Sequence, residues 1–223
     1  HHCKASQGSS NPFSCGSGIA MSTSATLDLR DVVVADHINC GMQITGGAKV
    51  TLRRGRFFRG EVQIGGGALI TGAEAIFIDT VFELLKTDQG GGAFWAHLAS
   101  TTVTLENCEI HRSLGFMGSG FTASIGAHVT MRNTRVHHNG APTPDWPWNM
   151  AGWGAVLLWN AKLTIRDGCK IDNNVIRYGA GIHVGQGSTL DATGSYIGEN
   201  SAIMDGSQIY LGEAYFYGRG APQ

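Results

Sequence analysis

The sequence predicts an all-β solenoid, a coil of short parallel strands that makes about seven turns. One motif keeps returning. Val129-Thr-Met-Arg-Asn-Thr-Arg-Val-His-His-Asn139 is its fullest copy, and Val103-Thr-Leu-Glu-Asn-Cys-Glu-Ile110 precedes it. Leu163-Thr-Ile-Arg-Asp-Gly-Cys-Lys-Ile-Asp-Asn-Asn174 and Leu190-Asp-Ala-Thr-Gly-Ser-Tyr-Ile-Gly-Glu-Asn200 follow. Each copy alternates apolar with polar residues, bends at Asn, Asp or Gly, and resumes with an apolar residue, as a half-buried strand does at a corner. A motif returning every ~20–35 residues marks stacked units. Between copies a second strand opens on glycine or serine, as in Gly92-Ala-Phe-Trp-Ala96, Gly154-Ala-Val-Leu-Leu158, Gly181-Ile-His-Val184 and Ser207-Gln-Ile-Tyr-Leu211. No two-residue hairpin turn joins the copies, so the strands meet in parallel.

Taken in order, residues 1–17 read as a polar leader and N-terminal cap, residues 18–211 as the coil, and residues 212–223 as a C-terminal cap or tail. Leu29, Leu52, Ile70, Leu105, Met131, Ile165 and Ala192 anchor successive copies. Each is followed five residues later (six for Ile165) by an apolar partner: Val34, Phe57, Ala75, Ile110, Val136, Ile171 and Ile197. Stacked coils turn these into inward rows, and Asn139, Asn174 and Asn200 fall at one corner, where their side chains can satisfy turn backbone. Thr51, Thr104, Thr130 and Thr164 form an outward row. Its neighbours Arg53, Glu106, Arg132 and Arg166 make β-propensity a better explanation than a flat, weakly hydrated face. Two stretches interrupt the repeat. Asp79–Gly91 is dense enough in apolar residues to predict a short helix packed on the coil's side. Gly140–Trp153 contains three prolines, which exclude a strand or helix interior, and carries Trp146, Trp148 and Trp153.

Composition narrows the functional classes. Lys and Arg number 16 against 17 Asp and Glu, so no basic field is available for nucleic acid. No apolar run is long enough for a membrane-spanning helix. Cys3 and Cys15 lie in a Ser/Gly-rich leader, where a disulfide between them is the natural reading and favours a secreted or surface setting. The odd total of five cysteines leaves a free thiol, and Cys40, Cys108 and Cys169 read as buried in the coil.

The pairing of a Gly-Gly/Ser-Ala-apolar strand with a following apolar-x-x-Asn corner resembles the repeats of the polymorphic outer-membrane protein family, within the wider pectate-lyase-like group. It is carried by Gly91-Gly-Ala-Phe94, Gly152-Trp-Gly-Ala-Val156 and Gly179-Ala-Gly-Ile182, with Val136-His-His-Asn139, Ile171-Asp-Asn-Asn174 and Ile197-Gly-Glu-Asn200. Where that family prefers Phe at the first corner position, this chain has Val or Ile. The resemblance implies a right-handed parallel β-helix and, by analogy, surface adhesion or extracellular scaffolding.

Two candidate sites follow from the rows. His111, His137 and Asp172 face outward on successive coils, about 5 Å apart, with Arg112, His138, Asn173 and Glu199 one position on. That spacing suits acid/base chemistry on an acidic polysaccharide. The aspartate set and Gly-His-Gly motif of β-helix pectinases and the calcium-binding Gly-Gly-x-Gly-x-Asp nonapeptide are absent, and neither cofactor nor metal is expected. The second site is a surface for a protein partner or an identical subunit. On the glycine-led strand Trp95, Leu157 and Tyr210 should point outward beside Trp146, Trp148 and Trp153, forming an apolar patch that the proline-rich loop or another chain must cover. The reading is a secreted or surface-exposed structural or adhesive module, with a carbohydrate-active enzyme and a sugar-binding module as alternatives.

Overall fold

The computed structural model describes residues 18–140 and 152–212. Cys3, Cys15, Trp146 and Trp148, and the two predicted caps apart from Gly212, lie outside those residues.

Three parallel sheets run along the coil. The first has eight strands, from Ile19–Met21 to Ile209–Leu211. The second has seven, from Thr26–Arg30 to Thr189–Asp191, and the third has seven, from Val33–Ala35 to Tyr196–Gly198. Each strand pairs in parallel with its equivalent in the adjoining coil, and the one register shift among the described strands lies between Ile176 and Tyr178, in a separate two-stranded sheet. The all-β solenoid of about seven coils is therefore as the sequence predicts, because alternation fixes which residues enter the core and a slip of one would turn each row to water.

The bend between the second and third sheets has a single cause. In successive coils one left-handed residue stands there: Asp31, Arg54, Asp79, Asn107, Asn133 and Asp167. Asn and Asp accept this conformation at small cost, and the motif's turn residue is that position. A second left-handed column ends the third sheet, at Asp36, Arg59, Leu84, Arg112, His138, Asn173 and Glu199. The asparagine that follows it builds a ladder. Asn139 Nδ2 donates to Ile110 O and to Asn174 Oδ1, both at 3.0 Å, and Asn174 Nδ2 donates to Asn200 Oδ1 at 2.8 Å. Ser113 N, bound by Asn139 Oδ1, and Gln208, bound to Asn200, close the two ends.

Phenylalanine fills the coil's middle. Phe57 stacks on Phe82 at 4.9 Å and Phe94 on Phe121 at 4.7 Å, with all four buried. Offset and edge contacts of this kind add to the ~1.5–3 kcal/mol each ring gains by leaving water.

Two expectations need correction here. Asp79–Gly91 holds no helix: Val81–Glu83 joins the third sheet and Lys86–Thr87 a small three-stranded one. Phe82 and Leu85 both point into the core, and the left-handed Leu84 between them turns the chain so that a strand mimics helical spacing. The third copy is also displaced. Ile70 belongs to the first sheet, between Ile44 and Ala96, and Phe77 with Phe82 occupies the anchor and partner positions. The same register puts Ile76 into the threonine row, between Thr51 and Thr104.

Candidate functional site

Side chains of the third sheet alternate, so the residue after each inward partner faces out. Phe58, Glu83, His111, His137 and Asp172 stand in register as one outward row. Two positions earlier on the same strands, Arg56, Val81, Glu109, Arg135 and Lys170 form its flank. The structure therefore brings together the three predicted residues. The His111 and His137 rings stack at 5.1 Å with an interplanar angle of 2°, close to the strand spacing that places them.

Charge pairing closes this row. Arg56 binds Glu83, which also lies 3.4 Å from His111 Nε2. His137 Nε2 stands 2.7 Å from Glu109 Oε1, and Arg135 grips Asp172 with two bonds of 2.9 and 2.5 Å. The long flanking side chains roof the shorter ones: the His137 and Asp172 side chains are 10% and 6% exposed. Burial pulls both imidazoles below their usual range, against the pull of Glu109 in each case. The Arg135 guanidinium holds Asp172 well below the ordinary carboxylate range. For Glu109, burial works upward, but the hydrogen bond from His137 and the nearby cationic groups outweigh it and leave the carboxyl lowered. Such a row is recessed, and its carboxylates and imidazoles are paired.

Glu83 and Glu109 are the members that the sequence reading missed. Glu83 lay in the stretch read as helix, which hid its place one coil before His111. Glu109 stands two residues before His111, on the same side of its strand, a period-two signal that was there to read. Among the described residues, no group of three or more His, Cys, Asp or Glu side chains is placed to hold a metal ion.

A family model described as the right handed beta helix region matches residues 66–216, more than half of the chain. The chain belongs to the right-handed β-helix family. No curated protein and no solved structure matches it.

Among the described residues, the other predicted positions of this β-helix do not form an open patch. Trp95 and Leu157 do leave the core, but they enter a second apolar layer with Cys40, Ile64, Leu69 and Met117, where Trp95 is 7% and Leu157 0% exposed. Phe116 and Trp153 pack against that layer, so Trp95 and Leu157 are covered within the chain. Trp95 and Leu157 thus point away from the core as expected, and their cover comes from this second layer. Trp153 stacks on Tyr178 at 4.8 Å and meets the edge of His183 at 5.0 Å, and His183 in turn contacts the half-buried Tyr210. His183 is fully buried, and burial pushes it down to about 4 against the opposing pull of the Gly212 backbone. Cys40, Cys108 and Cys169 are buried, as expected; burial pushes the Cys108 thiol up to about 12, which makes it inert. Beside the histidine row an open depression of about 340 Å³ is bordered by Glu109, Arg135 and Lys170.

Proposed function

We propose that this β-helix is a non-catalytic structural or adhesive module, secreted or displayed at a surface, that offers its sides to a partner protein or to identical subunits. The observation that carries the reading is the closed pairing of the histidine row. Glu83 is engaged by Arg56, Glu109 by His137 and Asp172 by Arg135. A base or nucleophile needs a carboxylate or imidazole free to meet the reacting atom, and here each carboxylate already has its cation or donor. The resemblance of the corner motif to surface-protein repeats favours the same setting. The specific competitor is a carbohydrate-active enzyme using the His137–Glu109 pair, whose 2.7 Å contact has the geometry of an oriented base.

Turnover separates the two. The chain is incubated with neutral and acidic polysaccharides, and new reducing or unsaturated ends are measured. The module reading expects none. Cleavage by the parent chain that disappears in His137→Ala and in Glu109→Gln would establish the enzyme instead.

A further inference from the structure

Burial is inverted on the strand Ile209–Leu211, the edge of the first sheet among the described residues. Ile209 and Leu211 hold its inward positions, yet they are 42% and 75% exposed. The side chain that packs is the outward Tyr210. A Cβ placed on Gly206 or Gly179 would stand 2.6 or 2.9 Å from its Cβ, so only glycines let it lie there. Its ring meets that of His183, its partner in register, at 5.0 Å. His183 is fully buried, with Leu157 paired on its other side and the Trp153 ring 5.0 Å away at a steep angle. One imidazole thus joins the last strand to the point where the chain returns at Trp153.

The titratable groups packed around this ring are the phenols of Tyr210 and of Tyr178, which stacks on Trp153. Arg177 lies over Tyr178, and Asp205 pairs with Tyr178 across the strands. Burial outweighs the Gly212 backbone, the one influence that draws a proton to the ring. We propose that His183 is an acid-sensitive latch on the last strand: neutral, it holds Tyr210 in place, and once protonated it reaches water by letting the segment from Gly206 to Gly212 lift away. Gln208 leaves with that segment, which uncaps the asparagine ladder at Asn200 and bares the edge of Ile182–Val184. The closed form holds the imidazole at about 4, against 6.5 when it is free in water. Closure is therefore complete above pH ~6.5 and is lost as pH falls toward about 4, weakening roughly 50-fold between pH 7 and 4.5.

Four amides report the latch. Gly179, Ala180, Gly181 and Ile182 donate to the carbonyls of Asp205, Gly206, Ser207 and Gln208 at 2.9 to 3.1 Å. In hydrogen exchange of the whole chain, corrected for the intrinsic effect of pH, they should be roughly 50-fold less protected at pH 4.5 than at pH 7. Gly92 and Ala93, bonded to the next coil in the middle of the same sheet, should hold. His183→Phe keeps a ring there but takes up no proton, so it should lose the difference. Equal protection of the four amides at both pH values overturns the latch, as does a loss that persists in the folded His183→Phe variant. A loss shared equally by Gly92 and Ala93 also overturns it, because the whole coil is then unfolding. The parent chain alone decides where acid acts, so the test stands even if His183→Phe does not fold. Turnover is not read, so the latch and the module reading fail separately.

Discussion

Asn174 shows how much one side chain carries in this coil. Its Oδ1 accepts from Asn139 N and Nδ2, and its Nδ2 donates to Val136 O and Asn200 Oδ1. All four partners are buried, so Asn174→Ala leaves orphaned donors and acceptors in a dry corner, at a cost of about 3 kcal/mol in urea denaturation. Asn174→Asp should be no milder, since a carboxylate cannot donate to Val136 O. His183 gives the residue scale its pH dependence. Its folded-state value of about 4 lies below the ordinary imidazole value of 6.5, so the fold favours the neutral ring. That stability is complete above pH ~6.5 and is lost as pH falls toward about 4, a difference of about 3 kcal/mol. Urea midpoints at pH ~7 and ~4.5 should therefore diverge, and His183→Phe should flatten that part of the slope.

At the scale of elements, the glycines that lead the first sheet mark where coils touch backbone to backbone. A Cβ on Gly92 would sit 2.0 Å from Ser119 O, and one on Gly66 2.0 Å from Gly92 O. Gly92→Ala must push two coils apart and should abolish folding or cost several kcal/mol. Gly168→Ala, at φ +75° with nothing within 4 Å, pays only for its left-handed backbone, about 1 kcal/mol in thermal or urea melts. Strands, corners and the asparagine ladder were legible in the sequence, because each rests on alternation or on a turn residue within one copy. What stayed hidden needed contact between distant segments. Apolar spacing at Phe82 and Leu85 looks helical until the corner at Leu84 is known, and that misreading concealed Glu83. Trp95 and Leu157 were correctly turned away from the core, yet no local pattern announces the second layer that covers them. The histidine row was legible because a stacked repeat converts sequence offset directly into distance.

Over the whole molecule each coil touches only its neighbours, so stability should be graded along the axis. The inner coils hold Phe77, Phe94 and Phe121 at 0% exposure, whereas Ile209 and Leu211 on the last strand of the first sheet are 42% and 75% exposed. Amide hydrogen exchange should be slowest in the strands from Glu74–Ile78 to Arg135–His137 and fastest in Ile19–Met21 and Ile209–Leu211; uniform protection would mean a single cooperative unit instead. One spacing in the ladder has a wider meaning. Phe94 pairs with Phe121, 27 residues on, but Phe121 pairs with Val156, 35 residues on, and the rows on either side continue unbroken. The extra length lies between Gly140, whose N–H donates to Ser113 O, and Gly152, whose N–H donates to Phe116 O. Those two anchors act as a socket. During evolution, or in the laboratory, peptides of other lengths and chemistries can be grafted there while the rod beneath keeps its register.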